Sequence, residues 1–188
     1  PHGGGGPGLG AIGVKNNLKK YMPVPYVENN EWILESESTI GPMKNFQGNF
    51  LVLVRALTYM NSLGLDGMKH SSSNAVLNAN YMAHLIKDIF VPKYPERPMH
   101  EFVISLEELK KATGVSALDF SKGLIDYGVH PPTMYFPLVV KEALMIEPTE
   151  TEPLEPLELL SKALHELNDL AYSAADKFNH LPYTTKES

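Results

Sequence analysis

The run Val91–Pro98 places prolines at 92, 95 and 98, three in eight residues. Proline lacks the amide proton and fixes its own φ, so no helix or sheet ladder passes through this stretch. Whatever the chain builds must be built on either side of it. Before it the apolar spacing is helical. Phe50–Leu63 is apolar nearly all round and ends at Gly64, so it is expected to be a buried helix. Asp66–Phe90 sets Leu77, Tyr81, Leu85 and Ile89 at fourfold spacing, with Met82 and Ile86 beside them, which predicts a second helix with that stripe as its apolar face. After the break the period changes. Met99–Leu106 puts Phe102 and Ile104 on one face of a strand. Ser116–Tyr127 reads as a helix with Ser116 as N-cap and Gly128 just past its end. Thr133–Phe136 and Ala143–Ile146 read as short strands. From Pro153 to about Asn179, Leu157, Leu160, Leu164, Leu167, Ala171, Ala174 and Phe178 step by three and four, which predicts an amphipathic helix packed on a sheet. Trp32–Leu34 is a short edge strand in an otherwise irregular Lys15–Asn49. The expected division is 1–47, glycine-rich and irregular; 48–98, linking helices and hinge; and 99–188, a compact α+β domain.

Composition removes several functional classes. The formal net charge is −6, and the only arginines are Arg55 and Arg97. That balance leaves no clustered cations for nucleic acid or for an anionic membrane surface. Cysteine is absent, which excludes thiolate metal sites, disulfides and cysteine nucleophiles together. The longest apolar runs fall short of a bilayer span, and no signal peptide is visible. The chain opens on Pro1 followed by a glycine run, and so reads as part of a longer protein.

Three segments hold residues suited to chemistry. Pro1–Gly13 has six glycines before residue 11. Such a backbone can approach a ligand closely and present successive amides to an anion, or it can simply be a linker. His130-Pro131-Pro132-Thr133 aims an imidazole and a hydroxyl from a rigid turn. His130 there is a proton-transfer or carboxylate-binding group, or a solvated turn histidine. Glu147 directly follows the apolar Ala143–Ile146 and is expected to be partly buried, whereas Glu150 and Glu152 suit the N-terminal end of the last helix. His100-Glu101 is an acid–imidazole pair at a strand start. With no HExxH and the seven histidines scattered, no metal site is expected. Arg97, in the hinge, could grip a carboxylate or pair with a surface acid.

Pro1-His2-Gly3-Gly4-Gly5-Gly6-Pro7-Gly8, Asn78-Ala79-Asn80-Tyr81, His100-Glu101-Phe102, His130-Pro131-Pro132-Thr133 and Glu147-Pro148-Thr149-Glu150 occur in one order. That order resembles the C-terminal part of the glycine dehydrogenase (decarboxylating) family, the P-protein of the glycine cleavage system. His130–Pro137, HPPTMYFP, is similar to the second (β) subunit of the two-subunit form. Single-chain members tend to have Ala at the position of Pro131 and a Ser-Trp pair where Tyr135-Phe136 stands.

The resemblance implies the aspartate-aminotransferase-type fold (fold type I): this chain would be its helical linker plus the small α+β domain. It implies pyridoxal 5′-phosphate as cofactor, attached to a lysine upstream of this chain, so that this chain alone is expected to be inactive. His2, Gly3, Gly4, Gly5 and Gly6 would border the cofactor. His130, Thr133 and Glu147 are the expected catalytic residues. The implied reaction is decarboxylation of glycine with aminomethyl transfer to lipoylated H-protein. The implied partners are the first (α) subunit, H-protein and glycine. A bacterial or archaeal cytoplasm is the implied location, and the uncovered apolar helices predict self-association. A noncatalytic pairing subunit of the same complex, or another fold type I amino-acid decarboxylase, remains an alternative.

Overall fold

The computed structural model describes residues 7–43, 48–94 and 97–184. His2, Gly3, Gly4, Gly5 and Gly6 lie outside the described residues. The chain divides into two compact units, Pro1–Leu65 and Asp66–Ser188.

In the first unit, a 3-10 turn over Asn16–Tyr21 is followed by an antiparallel hairpin of β1 (Tyr26–Glu28) and β2 (Glu31–Ile33). Asn29 and Asn30 at its tip take φ of 51° and 63°. A two-residue turn with both central φ positive matches the twist of its strands, and asparagine tolerates that region best after glycine. The hairpin contains the expected Trp32 strand and adds a partner the sequence reading missed. The Thr39 hydroxyl donates to the Met22 carbonyl at 2.6 Å and ties the returning chain to the turn.

A helical run, α1 (Phe50–Leu85), spans the unit boundary and is interrupted at Gly64, where φ is 63° and ψ is −176°. That combination is essentially reserved for glycine, so the expected stop at Gly64 is realised. The part before Gly64 corrects an expectation. Phe50 is 70% and Leu51 79% exposed, not buried. Within its unit the other described elements are one short turn and one short hairpin, too little apolar surface to enclose a helix apolar all round. After Gly64 the buried residues are Ala79, Met82, Ala83, Ile86 and Phe90, while Leu77 is exposed. The core-facing stripe thus centres on Met82 and Ile86, with Leu85 and Ile89 of the expected stripe packed partly buried at its edge. Small Ala79 and Ala83 let the helix approach closely, a signal that counting only large apolar residues overlooks.

The second unit is an α+β assembly. A three-stranded antiparallel sheet has the order β3 (Phe102–Ser105), β5 (Ala143–Ile146), β4 (Thr133–Met134). In register, Phe102 faces Ile146 and Ile104 faces Leu144, while Thr133 faces Met145. Phe102, Ile104, Leu144 and Ile146 join one core with Phe120, Leu164 and Leu167; Val103, Val140 and Ala143 form a smaller cluster on the other face. Burial on both faces explains why this strand pair reads as near-continuous apolar sequence.

Between β3 and the next helix the sequence reading missed α2 (Glu107–Thr113), a short helix ended by Gly114 at φ 83°. Helix α3 (Ala117–Asp126) starts as predicted: Ser116 and Asp119 form a reciprocal capping box. Its end is equally legible. The Gly128 amide donates to Ile125 and the Val129 amide to Leu124, with Gly128 at φ 72°, the paired bonds of a Schellman turn. Helix α4 (Leu154–Ala174) buries Leu157, Leu164, Leu167 and Ala171, then tightens into a 3-10 turn over Ala175–His180 that buries Phe178. It packs on α2 and α3, with sheet residues reaching the same core. The ring of Phe120 meets Phe90 edge-on at 5.8 Å and stacks on Phe178 at 6.3 Å.

Ala79–Phe90 belongs to the same core as α3 and α4, so it is part of the α+β unit rather than a separate linker.

Candidate functional site

A cleft of about 630 Å3 in the second unit is lined by His130, Thr133, Glu147, Thr149, Leu157 and Leu160 among others. Each wall follows from a local rule already described. The Schellman turn at Gly128 releases the chain from α3 and directs it through Pro131-Pro132 into β4, which sets His130 and Thr133 on the rim. The end of β5 delivers Glu147. The first turns of α4 supply Leu157 and Leu160 as an apolar floor. The three residues singled out from the sequence thus meet in one cleft, although 14 to 17 residues separate Thr133 and His130 from Glu147.

Glu147 departs from the expectation of partial burial: it is exposed. The strand's core-facing positions are Leu144 and Ile146, so the alternation of the ladder turns the next residue outward. His130 and Thr133 are exposed as well. No lysine or arginine lines the cleft among the described residues, and Glu152 adds a second carboxylate. A phosphate needs concentrated cations or amides, so these residues do not compose a phosphate cradle. In the glycine segment, a Cβ added at Gly8, Gly10 or Gly13 would meet no atom within 4 Å. Packing inside this chain therefore does not demand glycine at those three positions.

Two asparagines hold the site's frame. Asn78 donates its side-chain amide to the carbonyls of Thr149 and Glu152 at 2.8 and 3.1 Å. Asn80 donates to the Pro98 carbonyl at 2.8 Å, two residues before His100. Glu142, which sequence reasoning missed, joins two elements. It pairs with Lys110 and accepts the Ala117 amide at 2.8 Å at the start of α3. It sits at φ 48°, and no local spacing signals that role.

At the far side of α4, His165 donates through Nδ1 to the Ser161 carbonyl at 2.8 Å, and its Nε2 stands 3.1 Å from the Asp88 carboxylate. Two N–H groups can serve both oxygens only in the imidazolium, so the Ser161 carbonyl first and Asp88 second raise its pKa, against partial desolvation. The Asp88 carboxyl is correspondingly lowered, chiefly by its bond to His165. Tyr127 is pushed up to about 12 by burial and by its bond to Glu166.

Comparison with known proteins identifies the lineage. The family profile described as "Glycine dehydrogenase, C-terminal domain" matches residues 71–180. This chain belongs to that family. It is 48% identical over 188 residues to a protein of Treponema denticola named "Probable glycine dehydrogenase (decarboxylating) subunit 2", covering 98% of this chain and 39% of the relative. Relatives of the same name from Chlorobaculum tepidum and Thermococcus onnurineus are also 48% identical, each over 98% of this chain and 40% and 38% of their own lengths. The chain therefore spans about two fifths of the length of these curated glycine dehydrogenase relatives. Their "subunit 2" naming agrees with the likeness drawn from HPPTMYFP. No helix among the described residues is long and apolar enough to cross a membrane.

Proposed function

We propose that this chain forms part of a pyridoxal-phosphate-dependent glycine dehydrogenase (decarboxylating), an oxidoreductase acting with a first (α) subunit, and that its His130–Thr133–Glu147 cleft faces the reaction. The reaction is removal of the glycine carboxyl as carbon dioxide with transfer of the aminomethyl group to lipoylated H-protein. The observation that carries this reading is 48% identity over 98% of the chain to relatives named for that activity. The cytoplasm of a bacterium or archaeon is the proposed location.

Bound pyridoxal phosphate supplies the electron sink that decarboxylation requires. In our reading the described residues stand at the margin of its pocket, and the glycine segment His2–Gly6 borders the cofactor. The Thr133 hydroxyl is a donor for a carboxylate oxygen. His130 donates or accepts a proton at the rim. Glu147 accepts hydrogen bonds from an amino group, and its charge disfavours a second carboxylate nearby. The apolar floor of Leu157 and Leu160 limits water.

The test is exchange of labelled bicarbonate into the glycine carboxyl, run on the full-length protein with its first subunit and H-protein. Exchange that falls at least tenfold in both His130→Ala and Thr133→Val, with folding intact, supports the assignment. Loss of carbon dioxide from a different amino acid, without glycine exchange, makes the chain part of another decarboxylase. Borohydride reduction followed by peptide mapping separates the remaining reading: no label on a lysine upstream of the glycine run identifies a noncatalytic pairing subunit.

A further inference from the structure

At the end of the sheet that carries the cleft's Glu147, three metal-binding side chains come together: the adjacent His100 and Glu101, and Glu147 from the end of β5. In register, Phe102 faces Ile146, so the next pair along the ladder sets Glu101 opposite Glu147. Directly opposed like charges destabilise a strand pair. The usual relief, an ion pair, is missing: among the described residues no lysine or arginine pairs with either carboxylate. Arg97 lines a neighbouring cleft with Glu101 but forms no salt bridge with it. Among the described residues the nearest basic group is His100, whose Nε2 stands 3.8 Å from Glu101 Oε2, beyond a hydrogen bond. One donor atom from each of His100, Glu101 and Glu147 lies within 4.8 Å of the other two.

We propose that His100, Glu101 and Glu147 form a divalent-metal site, with one imidazole nitrogen and two carboxylate oxygens binding a first-row transition ion of the Mn2+ class. The donor set decides the class: an imidazole disfavours Mg2+ and Ca2+, and the absence of thiolate disfavours soft ions. Two donors each about 2.1 Å from one ion stand roughly 3 to 4 Å apart. Closing the trio from 4.8 Å needs rotamer shifts of about an ångström. His100 is free to make them, with a side chain 55% exposed. Glu147 and His100 also line a cleft of about 340 Å3 with Ser71, Ser72 and Thr149. That leaves room for the ion's remaining water ligands. Asn80 holds the Pro98 carbonyl and Asn78 the Thr149 carbonyl, so the backbone on both sides of the trio is fixed from one helix. The ion would replace a repulsive end of the ladder with a clamp joining β3 to β5.

The experiment is titration of the full chain with Mn2+, following loss of the free-ion electron paramagnetic resonance signal, and requires no turnover. The expected result is one saturable site per chain, displaced by Zn2+. Binding should weaken at least tenfold in Glu147→Gln and in His100→Ala, while Glu155→Gln, on α4, leaves it unchanged. Imidazole nitrogen coupling to the bound Mn2+ should be present in the wild type and lost in His100→Ala. Circular dichroism checks that each variant folds; His100→Ala lies outside every strand and keeps the test decisive if Glu147→Gln does not. No saturable binding, or equal binding in wild type and His100→Ala, overturns the proposal. The readout is ion binding without turnover, so its failure is distinct from a failure of glycine exchange; a bound ion would take the Glu147 carboxylate in place of the amino group.

Discussion

The Asn78 side-chain amide donates to the Thr149 carbonyl at 2.8 Å, and this bond holds the segment after β5 against α1. The same amide also reaches Glu152, so one residue satisfies two carbonyls of a turn that no strand or helix pairs. Asn78→Ala should cost about 0.5 to 1 kcal/mol, the usual net worth of hydrogen bonds to acceptors that water can still reach. Thermal unfolding of the chain checks it. An unchanged midpoint would mean that water replaces Asn78 without loss.

Glu142 should matter more than its loop position suggests. Glu142→Ala removes the acceptor of the Ala117 amide and the partner of Lys110. Loss of the charged acceptor at the start of α3 should cost about 1.5 kcal/mol, measurable as a lower urea midpoint with unchanged slope. Glu142→Gln should lose less, because an amide oxygen still accepts.

The His165–Asp88 pair predicts a pH dependence with a definite sign. His165 titrates above its ordinary value when folded, so its contribution is full below about pH 6.5 and fades as pH rises through the folded value. Asp88 titrates below its ordinary value, so its contribution is present above about pH 4 and is lost on further acidification. The pair is therefore strongest between about pH 4 and 6.5. Urea midpoints at pH 5.5 and 8.5 should differ less in His165→Gln than in the wild type. An identical difference in both would remove His165 as the cause.

Gly123→Ala should be poorly tolerated. A Cβ there would stand 2.6 Å from Leu167 Cδ2 and 3.3 Å from Leu181 Cδ1. Leu167 is only 2% exposed, so it has little room to turn away. The expected cost is about 1 to 2 kcal/mol, read as a lower thermal midpoint. No loss would show that α3 and α4 can separate slightly at this crossing.

The exposed apolar face of Phe50 and Leu51 predicts self-association of the chain by itself. Light scattering at rising concentration should show a mass above the monomer, reduced in a Phe50→Lys, Leu51→Lys double variant. A monomer throughout would overturn this expectation.

What the sequence by itself determined is local. Ser116 and Asp119 bracket a helix start, Gly128 ends it, Gly64 interrupts α1, and the stepped leucines of α4 face inward, because caps, positive φ and helical period act over a few residues. The family was legible for a different reason: five short motifs in one order match as a set. Tertiary structure decided the rest. It centred the buried face of α1 on Met82 and Ile86, which the sequence had set beside the stripe, and added Ala79 and Ala83, small residues that a search for large apolar side chains passes over. It left Phe50 and Leu51 exposed, since a helix's own pattern does not specify what covers it. It gave Glu142 its two partners and set Glu101 opposite Glu147, because antiparallel register joins residues that no spacing in the sequence connects.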